Sequence, residues 1–241
     1  NMRRYRDTSV FPSSIPVYFI RGIKNPFDPE SGDLVTLDSM DFMRGEETQV
    51  VGLLEEPDIR LPACVVILSS HTKFISIDTS CTILGSITTL SGQVFDALTN
   101  HTILGKSLPS RSAQPVGEIN ETIVAHAYST LNKYGFLRSL LQIRFMDTLL
   151  ESNTQERQLF TESLLAAEDF RCLSLVGDLN PGTRPNFILI GPPNRCRVYK
   201  YILETHMGII PGKVHSITDP QAIDLLSIRG AIALAKLASI I

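Results

Sequence analysis

The chain of 241 residues is 43% hydrophobic, 20% charged and 7% aromatic. That is enough apolar material for a buried core in one domain or two unequal ones, and it excludes disorder as the main state. Its 22 basic and 25 acidic residues leave a formal charge of −3, too balanced for condensation on nucleic acid or anionic lipid by electrostatics alone.

In chain order, Val17-Tyr18-Phe19-Ile20 reads as a strand between the Pro-rich FPSSIP and the turn-rich KNPFDPESGD. A helix is expected from Asp38 or Ser39 through MDFMRGEETQVVGLL, weakened by Gly45. Apolar runs at Ala63 to Leu68, Phe74 to Asp78 and Ile83 to Thr89, separated by short polar turns, predict an antiparallel meander. Helical spacing follows over Gln93 to Leu104, then, after the turn LGKSLPSRSAQP, over Glu118 to Phe136, Leu137 to Leu150 and Gln155 to Cys172. NFILIG at Asn186 to Gly191 has the continuous apolar character of a buried parallel strand, and a helix ending near Gly208 follows it. Lys213 to Ile217 is a further strand. Asp219-Pro220 then opens a last helix whose predicted buried stripe is Ala222, Leu225, Leu226, Ala231 and Leu234.

The mean hydropathy of +0.10 is high, yet no run approaches the roughly 20 apolar residues that cross a bilayer. The excess belongs to buried elements or to an exposed interface. The amino end NMRRYRDTSV is basic but lacks the apolar stretch of a signal peptide, so a cytoplasmic location is expected. Asn1 ahead of the first Met suggests either an added residue or a beginning that lies upstream. Cys64, Cys81, Cys172 and Cys196 form no CxxC pair and are expected as reduced, mostly buried thiols. The two sequons at Asn100 and Asn120 are then chance matches. His126, His206 and His215 have no metal-ligand spacing, and no GxSxG, HExxH or GxxxxGK string occurs.

A strand meander, a helical insertion and a β-α-β-α ending have the element order of a ribonuclease-H-like lobe, the unit that actin-like ATPases and sugar kinases use in pairs. The string Met43-Arg44-Gly45-Glu46-Glu47-Thr48-Gln49 resembles the signature of 2-dehydro-3-deoxygalactonokinases. Shorter matches follow in order. Ser70-His71-Thr72-Lys73-Phe74 resembles the family's Gly-Thr-His-x-Lys-Trp, Ser91-Gly92-Gln93 its Thr-Gly-Glu, and Asn100-His101 with Leu104-Gly105 its Asn-His-Ser-Leu-Leu-Gly. LLAAE at Leu164 to Glu168 resembles its Leu-x-x-Gly-Ala-Glu, and Ile190-Gly191 stands where the family has a Gly-Thr-Ser turn. The family's Asp-x-Gly-Ser/Thr-Thr phosphate grip is absent from the sequence.

The resemblance implies an α/β fold: residues 1–38 a remnant of the first lobe, 39–60 an interlobe helix and connection, and 61–241 the second lobe with a helical insertion at about 106–172. It implies ATP and Mg2+ as cofactors and a keto-deoxy sugar acid as small-molecule substrate, with no nucleic-acid or membrane partner. Arg44, Glu46, Glu47 and Gln49 would contact the sugar acid, Arg44 as a planar fork for a carboxylate. Ser70, His71, Lys73 and Gly92 would face phosphate, and Gly191 and Glu168 the nucleotide. The alternative for the MRGEETQ string is a solvated helix with internal pairs, and for Ser69 to Lys73 a simple polar hairpin. Pro192-Pro193 remove two amide donors from the nucleotide turn, and Gln93 cannot serve as a base. No catalytic base is assigned. The rival expectation is a non-catalytic scaffold that kept the lobe and uses apolar surface to form a homodimer or dock a separate chain.

Overall fold

The computed structural model describes residues 2–5, 9, 16–26, 34–108, 118–175 and 185–241. Residues 11–15 of the FPSSIP stretch, the turn residues 27–33 and residues 109–117 of the turn after Leu108 lie outside the described residues.

The fold is mixed α/β around a five-stranded sheet. Strands β5 (Ala63–Leu68), β6 (Thr72–Ile77) and β7 (Ile83–Thr89) form the expected meander, and β8 (Asn186–Ile190) and β9 (Val214–Ile217) add in parallel on the other side, in the order β7-β6-β5-β8-β9. All six residues of β5 and all five of β8 are buried, which is why they read as continuous apolar runs. Their side chains alternate between two cores. Cys64, Val66, Leu68, Phe187 and Leu189 face one core, with Phe170 and Tyr199, and Ala63, Val65, Ile67, Ile188 and Ile190 face the other, with Val50 and Leu226.

Helices α6 (Thr154–Leu175) and α7 (Pro193–Thr205) supply the first core, together with α3 (Glu121–Tyr134). Helices α1 (Glu46–Leu54) and α8 (Pro220–Leu237) cover the second face. Between β7 and β8 the described elements are helical, beginning with α2 (Ser91–His101), and their core joins Leu98 and Leu104 to Ala127, Ile143 and Phe160. Asn120 caps α3 by accepting from the Ile123 amide, and Asp219 caps α8 by accepting from Ala222 with Pro220 in the first turn.

Several boundaries differ from the sequence reading. The helix expected from Asp38 or Ser39 begins only at Glu46. Residues Leu34–Ser39 form a 3-10 turn, and β4 (Phe42–Met43) pairs antiparallel with β3 (Ile23–Lys24), so the chain at 42–43 is extended by a partner distant in sequence. Gly45, at φ 112°, cannot be helical. Upstream, β1 (Met2–Tyr5) pairs with the predicted strand β2 (Val17–Ile20) in a separate ribbon. The Leu137 to Leu150 helix is two short ones, α4 (Phe136–Leu140) and α5 (Gln142–Thr148). The stretch from Gln93 to Leu104 ends its α-helix at His101 and continues as a 3-10 turn from Ile103. On α8, Leu225 is exposed and the buried positions are Leu226, Gly230 and Ala235. Only two thiols, Cys64 and Cys196, are buried; Cys172 is half-buried and Cys81 is exposed in a turn.

Candidate functional site

The MRGEETQ string forms a strand-to-helix turn. Met43 is buried against the second core and ends β4, while Arg44 and Gly45 turn the chain. Glu46 then reaches back to accept from the Arg44 amide at 3.0 Å, and Glu47 accepts from the Gly45 amide at 2.6 Å. Two carboxylates thus hold the turn and sit at the positive end of α1. Glu47 is buried, Glu46 and Gln49 are half-buried, and Arg44 is exposed. The internal pairing is therefore between carboxylates and backbone amides, with Arg44 turned elsewhere: it lines a cleft of about 650 Å³ together with Arg3, Phe19, Arg21, Lys24 and Phe42. Four cations and no carboxylate stand among the described lining residues. Such a cleft raises the local concentration of anions.

Lys73 joins this wall to the sheet. Its ammonium is buried and donates to the Phe42 carbonyl at 2.7 Å and to Thr88 Oγ1 at 2.5 Å. The Thr88 and Ser86 hydroxyls in turn donate to the Asp41 carboxylate, at 2.8 and 2.7 Å. Asn25 completes the attachment by pairing its side-chain amide with the Ser86 backbone in both directions. Lys73 lies two residues beyond His71 on β6, yet its charge is spent on the clamp rather than on the hairpin.

The hairpin itself, Ser69 to His71, joins β5 to β6 and is closed by the Ser69 amide donating to the His71 carbonyl at 2.9 Å. Ser70 Oγ lies 3.1 Å from His71 Nδ1. Gly92, at the start of α2, packs on it: a Cβ there would stand 2.6 Å from the Ser70 carbonyl oxygen. Gly191, at φ 152°, follows β8, and a Cβ would stand 2.5 Å from the Leu68 carbonyl oxygen. Both glycines are thus required by backbone meeting backbone within the chain.

Sequence reading missed the polar cluster behind this hairpin. Arg195, buried on α7, donates through Nη1 to the Ser69 carbonyl at 2.6 Å and through Nη2 to Thr72 Oγ1 at 2.8 Å and Ser91 Oγ at 3.2 Å. Tyr199, one turn on, donates to Asp169, which also accepts from Thr89 Oγ1 at 2.6 Å. Burial pushes the Asp169 carboxyl upward against these hydroxyl bonds, and burial likewise raises the Tyr199 phenol. The signal was present in the spacing: Arg195, Tyr199 and Ile202 fall on the same face of α7 as the buried Val198. Glu168, next to Asp169, points the other way and pairs with Arg171 on its own helix at 2.5 Å.

The structure therefore gathers Ser70, His71, Gly92 and Gly191 at one end of the sheet. Arg44 stands in the cationic cleft, linked to that end through Lys73 and Phe42. Glu168 belongs to the surface of α6. Among the described residues no group of three His, Cys, Asp or Glu side chains could hold a metal ion, and no helix is long and apolar enough to cross a membrane.

Comparison with known proteins gives two findings. The family model for 2-keto-3-deoxy-galactonokinase matches residues 30–215, most of the chain. A crystal structure of a Sinorhizobium meliloti protein, described as a 2-dehydro-3-deoxygalactonokinase, superposes with a TM-score of 0.67 at 19% identity, covering 92% of this chain and 66% of that one. No curated protein matches in sequence.

Proposed function

The chain belongs to the 2-keto-3-deoxy-galactonokinase family, and from that premise we propose that it serves transfer of the ATP γ-phosphoryl group to a hydroxyl of a 2-keto-3-deoxy sugar acid. The chain spans 66% of the length of the solved relative. The proposal accordingly assigns to it the acid-binding wall and one phosphate-binding hairpin of a ribonuclease-H-like lobe, rather than a whole reaction centre. The observation that carries the reading is the cleft at Arg44: four cations around two aromatic rings, with no lining carboxylate among the described residues.

In this reading Arg44 takes the substrate carboxylate through its planar fork, and Arg3 and Arg21 supply the field that draws an anion in. Glu46 and Gln49, half-buried on the first turns of α1, accept hydroxyl protons. Glu47 fixes the turn that presents Arg44. Ser70 and His71 meet the donor's phosphates, while Gly191 and the flank of α6 near Glu168 border the nucleotide. Lys73 acts on phosphate only indirectly, by tying the acid-binding wall to the strand that follows His71. Phosphoryl transfer of this kind relies on positioning and charge stabilisation. Mg2+ bound to the nucleotide would supply counter-charge, and because it keeps phosphate and water ligands it needs no cluster of protein carboxylates.

A kinase-derived scaffold without catalysis is the second reading. One observation favours it: Glu46 and Glu47 each commit an oxygen to a backbone amide, so the string that names the family offers no ready base. Calorimetric titration with Mg-ATP and with 2-keto-3-deoxy-galactonate, followed by an assay of ADP release with both present, separates the two. Binding of both ligands supports the kinase reading. Silence toward both contradicts it and leaves the scaffold.

A further inference from the structure

The carbonyls of the hairpin are held inward from two sides. Ser69 gives its oxygen to Arg195 Nη1 at 2.6 Å, and Ser70 gives its oxygen to the Gln93 amide at 2.8 Å. Among the described residues the cis peptide bond is Leu61-Pro62, so both hairpin peptides are trans, and in a trans peptide the N–H points opposite the preceding C=O. The amides of Ser70 and His71 therefore point away from α7 and α2. Consecutive amides turned the same way form a concavity suited to an anion. Ser69 and Ser70 are exposed.

Arg195 can hold this geometry because its own position is fixed. Its guanidinium stacks over the Tyr199 ring at 5.8 Å, and its second nitrogen bonds the hydroxyls of Thr72 and Ser91, themselves 2.5 Å apart. Thr72 lies 3.4 Å from the Tyr199 hydroxyl, which donates to Asp169. A buried cation and a buried carboxyl are thus connected through a file of hydroxyls, the arrangement that lets both be desolvated. Loss of the guanidinium would release the Ser69 carbonyl and unpin Thr72 and Ser91, the residues that border the hairpin on each side.

We propose that Arg195 is a positioning residue for nucleotide phosphate: without touching the ligand, it keeps the Ser70 and His71 amides turned outward to receive the β- and γ-phosphoryl oxygens. This rests on the reading of the hairpin as a phosphate contact. The test uses the full chain, isotopically labelled, with inorganic tripolyphosphate and Mg-ADP as probes and 2-keto-3-deoxy-galactonate as the control ligand. The wild-type protein should bind the probes with shifts at the Ser70 and His71 amides. Arg195→Met should weaken probe binding about tenfold, the value of a hydrogen bond to a charged group, and leave the sugar acid nearly unaffected. Arg195→Lys, which keeps the charge and loses the fork, should recover part of the loss. Undiminished probe binding by Arg195→Met overturns the positioning role and leaves the hairpin reading standing. If Arg195→Met fails to fold, unchanged affinity in Arg195→Lys overturns it. Wild-type binding that leaves Ser70 and His71 unmoved, or no binding at all, overturns the hairpin reading and the positioning role together.

Discussion

Gly52 on α1 and Gly230 on α8 meet where the two helices cross: a Cβ on Gly52 would stand 3.0 Å from the Gly230 amide nitrogen, and one on Gly230 would stand 2.8 Å from that of Gly52. Backbone carbonyls are closer still on both sides, those of Leu226 and Thr48 respectively. Neither helix can carry a larger residue there without moving away from its neighbour.

Gly230→Ala should therefore destabilise the fold by about 2 kcal/mol, because overpacking a rigid contact outweighs the better helix propensity of alanine. Urea denaturation measures this. An unchanged midpoint would mean the helices separate freely at the crossing.

Lys73→Met removes the donor that Phe42 and Thr88 share. Losing those charge-assisted bonds should cost about 2 kcal/mol. Hydrogen exchange should rise at Phe42 and Met43 more than in β5, because β4 is otherwise paired with only two residues of β3. Unaltered protection at 42–43 would show that the clamp does not hold the wall.

Thiol chemistry should follow burial. Cys64 and Cys196 are pushed up to about 12 by burial and should resist alkylation until the chain unfolds. The exposed Cys81 should react first, with Cys172 slower because burial and the neighbouring Glu168 and Asp169 charges raise its thiol. Mass mapping of a timed alkylation checks the order. Early modification of Cys64 would contradict the packing of β5.

Asp147 should give the helical segment between β7 and β8 an acid-sensitive tie. The Ser107 hydroxyl foremost, then the charges of Arg157 and Arg144, hold its carboxyl below the usual 3.8. A carboxyl lowered in the folded state adds stability above its unfolded value, and that stability is lost as pH falls through the folded one. Asp147→Asn should be less stable than wild type at neutral pH, and the gap should close as pH drops below 3.8. A gap that persists in acid would assign the effect to packing.

Ala63 to Leu68 was legible because burial on both faces leaves an uninterrupted apolar run, and Ile83 to Thr89, only partly buried, also appears with its expected bounds. The start of α1 was not, because residues 42–43 are extended by Ile23 and Lys24, a pairing no local pattern announces. The same limit applies to the site. Arg44 and the hairpin are singled out by the family's string as positions to test, but the fate of Lys73 depends on a carbonyl 31 positions away. Helical spacing puts Arg195 on the buried face of α7, which marks the position but not its partners. Its role emerges only when Ser69, 126 residues upstream, comes within hydrogen-bonding reach.

The most direct measurement compares sugar-acid binding by the wild-type chain and by Arg44→Met, with the corresponding uncharged sugar as a control. The account predicts saturable binding of 2-keto-3-deoxy-galactonate that falls about tenfold or more when the guanidinium is removed, with weak and equal binding of the uncharged sugar by both. Equal affinity of the two proteins for the acid, or no binding by the wild type, would contradict it.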